Sequence, residues 1–156
     1  MEIYRCVRGF MNFIRKQPHF HKKFFYAAEY IFVFLTGAIL YSITEIVYRA
    51  YTHITMFFAG GICFLLIYMC EKYLYGKKLF YRCCVYALMI TTVEFIFGVI
   101  FNIVLKLNVW DYSQEPLNIM GQVCPGFVLM WMGISVPAIW LSAKIRYLFV
   151  KLSKIA

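Results

Sequence analysis

Charge is what this sequence has least of. Only 15% of its residues are charged and just seven of its 156 are acidic, whereas about 25% of an ordinary soluble domain is charged. Too few polar side chains remain to cover a soluble core of this length, which sets aside a water-soluble globular domain. Whole classes of chemistry lack their residues too. There is no GxxxxGK[ST] loop to cradle phosphates, so any use of ATP requires a partner chain. No HExxH or GxSxG element occurs, and no Ser, His and Asp set stands at a suggestive spacing. The six cysteines, Cys6, Cys63, Cys70, Cys83, Cys84 and Cys124, lack the paired CxxC spacing of a zinc site and read mostly as packing residues. Adjacent Cys83 and Cys84 also sit where acylation at a membrane edge occurs. No metal and no cofactor is expected.

Apolar residues are what is present in excess, at 63% against roughly 45–50% in a soluble domain. The surplus must face lipid. Four apolar runs, at about residues 24–48, 56–70, 83–105 and 125–141, leave room for one compact membrane domain and no separate soluble one. The fold class expected is therefore an all-α integral membrane protein, a bundle of four transmembrane helices. Ahead of the first run, residues 1–23 carry Ile3, Val7, Phe10, Met11 and Ile14 on one helical face, with Arg5, Arg8, Arg15 and Lys16 elsewhere around it. This suits an N-terminal amphipathic helix on anionic headgroups, or a plain basic flank that orients the first span. Pro18 is expected to end it. No Ala-x-Ala-like cleavage site follows, so the first span is expected to remain attached.

The charge of +9 would suggest nucleic acid in a soluble protein, but its distribution gives a better account. Fourteen of the sixteen basic residues fall before the first span, between the second and third, or after the fourth, leaving only Arg49 and Lys106 on the other side. By the positive-inside rule both termini and the middle connector are cytoplasmic, and no nucleic-acid partner is expected. Membrane lipids are the expected partners, with anionic headgroups at the basic face. A protein partner or a second copy is a further option.

Against this apolar background a few polar residues stand out. An ionised Glu94 within the third span costs several kcal/mol unless it is paired, hydrated or protonated. It is either an ion, proton or substrate ligand, or a protonated carboxyl bonded to a neighbouring helix. Glu45 and Arg49 lie four apart on one face, as a structural salt bridge or as part of a binding site. His53 reads more simply as an interfacial side chain than as a metal ligand, having no spaced partner. Between the last two spans lies a polar and aromatic island, Trp110 to Cys124, too rich for a mere connector. Trp110 and Tyr112 mark the interface, while Pro116 opens a predicted short helix that carries Asn118 and Gln122 on one side. That short helix is either re-entrant or an interfacial cap. Gly60-Gly61-Ile62-Cys63 and Gly121-Gln122-Val123-Cys124 hint at a repeat, although so short a match arises as readily by chance.

Glu45-Ile46-Val47-Tyr48-Arg49, His53, Met56, Gly60 to Cys63, Glu94-Phe95, Gly98, Asn102, Trp110-Asp111-Tyr112-Ser113, Pro116, Asn118 and Gly121 to Cys124 together resemble the CmpB-like group of small bacterial membrane proteins, catalogued as type IV ABC-transporter proteins. The resemblance runs from Tyr41 to Trp131. It implies a multi-pass bacterial membrane protein connected with transport.

The expected site is an outer-facing polar pocket framed by Glu45, Arg49, His53, Glu94, Asn102, Asp111, Asn118 and Gln122. The leading function is a transporter or channel subunit that binds an ion or small polar solute there. The alternative is a non-catalytic partner or assembly protein whose polar residues only lock the bundle. An enzyme acting on lipid through Glu94 or Asp111 is disfavoured, because no nucleophile or metal set accompanies them. A cysteine-accessibility map should find position 77 cytoplasmic and position 114 external. Both on one side would remove the four-span arrangement.

Overall fold

In a computed structural model, described here for residues 18–155, with side chains described for residues 25–153, the chain folds as four long helices. These are α1 (Pro18–Arg49), α2 (Ile54–Leu74), α3 (Leu79–Phe97, continuing as a π-helical stretch Gly98–Val104) and α4 (Pro125–Ile155). Each contains a segment apolar and long enough to cross a membrane, namely Phe25–Arg49, Ile54–Leu74, Leu79–Val104 and Pro125–Ser153. The all-helical, four-span expectation is met. The helices outrun the sequence estimates for the second and fourth spans, since α2 carries Glu71 and Lys72 within its last turn and α4 runs through Pro137. Residues 1–17, most of the N-terminal segment, lie outside the described residues. Whether a helix ends ahead of Pro18 lies outside the described residues; Pro18 is the first described residue of α1, a place that suits a residue with no N–H to leave unpaired.

Short connectors at 50–53 and 75–78 make successive helices antiparallel. The tightest pairing is α1 on α2, and glycine permits it. A Cβ on Gly37 would stand 2.3 Å from the Phe64 Cβ and 2.8 Å from the Gly60 carbonyl oxygen, and one on Gly60 would stand 2.3 Å from the Tyr41 Cβ. In lipid, where apolar surface gains little by leaving the tails, such close backbone approach supplies the packing energy. The α3–α4 pair joins α2 through one cluster containing Cys63, Ile67, Tyr86, Ile90, Trp131 and Ile139. Helices α1 and α4 touch far less, and a cleft runs between them.

Polar locks close the bundle end that carries Lys77 and Lys78. Glu71 at the end of α2 accepts from the Arg82 guanidinium and from the Tyr86 hydroxyl of α3. The Tyr68 hydroxyl donates to Glu29 of α1, and Arg146 of α4 donates to the Tyr68 carbonyl at 2.6 Å. Each buried carboxylate therefore meets donors from another helix, as burial in hydrocarbon requires.

The island departs from expectation. No helix forms between residues 105 and 124; the segment is a chain of tight turns with one antiparallel bridge, Ile119 to Val123. Leu117, Met120 and Gly121 all have positive φ (56°, 55° and 68°). The predicted re-entrant or interfacial helix fails because its own polar residue competes for the backbone. Asn118 donates to the carbonyls of Ser113 and Glu115 and accepts from the Gly121 N–H, which replaces the helical ladder with side-chain bonds. The suggested repeat fails with it, since Gly60 to Cys63 are helical and Gly121 to Cys124 are not.

Gly60→Ala should lower the melting temperature by the equivalent of about 1–3 kcal/mol of overpacking. Gly133→Ala, with nothing within 4 Å of the new Cβ, should leave it unchanged or slightly raised. Equal shifts would mean that α1 and α2 are not in close contact.

Candidate functional site

The site is built from the end of α3 outwards. At Gly98 the helix widens into π-type turns, with Leu105 N–H donating to the Ile100 carbonyl at 3.0 Å, five residues back. A side chain at Gly98 would collide with Gln122, its Cβ 2.5 Å from Oε1. The wider turn carries Asn102 inward, where it is buried and fully used. Its amide donates to the Trp110 carbonyl and to Gln122 Oε1, each at 2.9 Å, and its oxygen accepts from the Val109 N–H at 2.7 Å. The Trp110 indole N–H in turn donates to the Gln122 carbonyl at 3.0 Å. One amide thus holds both arms of the loop.

With the loop fixed, Tyr112 and Trp110 come down on the bundle. Glu94, only 5% exposed, accepts from the Tyr112 hydroxyl at 3.1 Å and from the Trp131 indole N–H at 2.9 Å. Neither donor is charged, and among the described residues no basic side chain pairs with this carboxylate. It faces the bundle interior, with α4 as its neighbour. Burial, reinforced by the Glu94 carboxylate beside it, pushes the Tyr112 phenol well above its ordinary range, so that it stays a donor.

Glu45 and Arg49 do pair, Nη2 to Oε1 at 2.6 Å. Thr52 donates to the other carboxylate oxygen at 2.7 Å, and Arg49 Nη1 reaches across to the Val109 carbonyl at 2.8 Å. The pair therefore also ties α1 to the loop. Around it lies a chamber of about 100 Å³ walled by aromatic rings, including Tyr41, Tyr48, Trp110, Tyr112 and Trp131. Tyr112 stacks on Phe127 at 4.2 Å between centroids and Tyr41 on Trp131 at 5.8 Å.

Of the eight residues expected at the pocket, Glu45 and Arg49 line the chamber and Glu94 stands behind two of its walls. Asn102 and Gln122 are spent on the loop. Asp111 accepts from the Ser113 N–H at 2.8 Å and from its hydroxyl, forming an exposed turn, and Asn118 holds the adjoining turn. His53 caps α2, its Nδ1 accepting from the Thr55 N–H at 3.3 Å. Among the described residues no three His, Cys, Asp or Glu side chains gather as a metal site would require. Trp131 and Tyr41 were missed, being aromatic residues inside apolar runs. The available signal was helical spacing: Tyr41 lies one turn before Glu45.

Four membrane-length helices, four carboxylates satisfied between helices or at their ends, and a closed polar loop over an aromatic chamber define a multi-span membrane protein. The chain belongs to the family described as "Putative ABC-transporter type IV" (ABC_trans_CmpB), whose model matches residues 19–155. That description makes it an ABC-transporter-related membrane protein. No curated protein and no solved structure matches the chain.

The Glu45–Arg49 geometry makes a direct prediction. Arg49→Ala strands the charged Glu45 Oε1 and the Val109 carbonyl, whereas the double change with Glu45→Ala strands only neutral groups, that carbonyl and the Thr52 hydroxyl. The single variant should therefore be the less stable by about 1–3 kcal/mol, the cost of an unsatisfied buried acceptor. Equal melting shifts for the two variants would show that the pair is solvated.

Proposed function

We propose that the protein is a membrane-embedded transport component that binds an ion or small polar solute in the chamber at Glu45 and Arg49. The observation that carries this reading is Glu94, a buried carboxylate held only by neutral donors, both of which are chamber walls. The neighbouring Glu45 is balanced by Arg49. When both carboxylates are ionised, one negative charge remains uncompensated, and an aromatic chamber in front of it favours a cation through the ring faces. The family's description supports a role in transport. On this reading the loop lies outside a bacterial cell membrane, and both termini and the basic end face the cytoplasm and its anionic headgroups.

A second reading is favoured by a different observation. Asn102, Gln122, Asn118, Asp111 and His53 all spend their hydrogen bonds on the chain itself, as expected of a partner or assembly protein whose polar groups only lock the fold.

Thermal stability in lipid nanodiscs separates the two. On the binding reading, tetramethylammonium should raise the melting temperature over an equal concentration of sodium, with a ceiling set by mass action of about 2.7 kcal/mol at a hundredfold excess over Kd. Glu94→Gln should fold yet lose the shift. If no small cation, amino acid or sugar shifts the wild-type protein, the locking reading stands instead.

A further inference from the structure

Below the chamber lies a second and larger space. The cleft between α1 and α4 has a volume of about 360 Å³ and an almost wholly apolar lining that includes Gly37, Phe64, Ile67, Ile134 and Ala138. It is as large as a small-ligand site, for which about 300 Å³ is the lower end. Its lining on α1 runs from Gly37 to Thr44, in the middle of the membrane-length segment Phe25–Arg49, so its depth is that of the hydrocarbon. Leu40 and Ile43, which also line it, are 46% and 51% exposed. The cleft therefore opens sideways towards lipid.

The two spaces share three residues. Tyr41, Thr44 and Trp131 line both the apolar cleft and the chamber that holds Glu45 and Arg49. Tyr41 of α1 and Trp131 of α4 stack across the neck between them with an interplanar angle of 27°, so the ring pair constricts it and must part for a chain to pass. Going from the loop towards the bundle centre, one passes an aromatic chamber backed by a carboxylate without a cationic partner, then a neck, then an apolar slot open to the bilayer. A small hydrated ion would use only the first of these. A molecule with a charged head and one hydrocarbon chain would use all of them.

The sign of the head follows from the pairing around the chamber. Arg49, the basic side chain on its lining, already donates to Glu45 and to the Val109 carbonyl. Only its buried Nε lacks a partner, so an anionic head would gain that one N–H unless it took Arg49 from these partners, and it would lie beside Glu45 and before Glu94. A quaternary or alkyl ammonium would meet ring faces, with the unbalanced Glu94 carboxylate behind two of them.

We propose that the chamber and the cleft form one site that takes a cationic single-chain amphiphile from the bilayer, its ammonium head among the chamber aromatics and its chain between α1 and α4. This rests on the binding reading above and names the class of its ligand. The chain gains little free energy on leaving lipid for an equally apolar cleft. Selectivity therefore resides in the head, and the cleft supplies a lateral way in.

The test uses the full chain in phosphatidylcholine nanodiscs, in a Trp140→Phe background that removes the lipid-exposed indole and keeps the two chamber-wall indoles, Trp110 and Trp131, as reporters. A long-chain alkyltrimethylammonium brominated near the chain end should quench fluorescence along a saturable curve, and the same chain with a sulfate head should quench only in proportion to its concentration in the bilayer. Thr44→Phe plugs the neck from an exposed position whose hydroxyl bonds only within its own helix. It should abolish the saturable part, and Glu94→Gln should weaken it by about tenfold or more, the loss of a buried negative charge behind the chamber walls. Saturable quenching by both heads, or quenching that survives Thr44→Phe, overturns the proposal. So does equal quenching when the nanodisc phosphatidylcholine itself carries the bromine and the cationic amphiphile does not relieve it, since an ordinary lipid chain would then fill the cleft. If tetramethylammonium stabilises the protein but the amphiphile never quenches saturably, the chamber reading survives and the amphiphile falls. If neither binds, both fall.

Discussion

The structure depends on the three hydrogen bonds of Asn102. A loop of irregular backbone at the end of a membrane bundle must satisfy its amides without a helical ladder, and one buried side chain does this for Val109 and Trp110 while fixing Gln122. The rest follows in order. Placing Val109 gives Arg49 its carbonyl acceptor, and placing Trp110 and Gln122 closes the loop. Tyr112, two residues on, then descends far enough to donate to Glu94. The chamber wall, the Glu45–Arg49 tie and the capping of Glu94 thus all hang on an amide that meets the chamber only through the Trp110 backbone.

How much of this was legible in the sequence differed by level. The four spans were, because a helix in hydrocarbon needs only length and apolarity, and both are additive along the chain. The pairing of Glu45 with Arg49 was also legible, since helical geometry fixes neighbours four residues apart. The loop was not. Pro116 and the apolar residues after it satisfied the local rules for a helix start, but Asn118 wins its contest for the backbone only when residues 113–115 fold back beside it. That is a tertiary outcome, which composition does not contain. The same limit sorted the candidate residues: side-chain type marked Asn102, Asn118 and Gln122 as important, and only their partners reveal that they serve the backbone.

Glycine and aromatic residues divide the bundle unequally. Gly37 and Gly60 bring α1 and α2 into backbone contact, and the cluster around Tyr86, Ile90 and Trp131 joins α3 and α4. What remains between the pairs on one side is bridged by the stack of Tyr41 on Trp131. Trp131 is at once a wall of the polar chamber, a wall of the apolar cleft and a donor to Glu94, so a change at any one of these is felt at the other two.

Pro137 lies within α4 and on the wall of the cleft. Having no N–H, it leaves the Gly133 carbonyl without its helical donor. On the loop side of this point α4 is fastened by Trp131 to Glu94, and on the other by Arg146 to the Tyr68 carbonyl. The cleft therefore borders the one stretch of the described α4 where a proline interrupts the backbone ladder, and there the helix is held by side-chain packing through Ile139 instead.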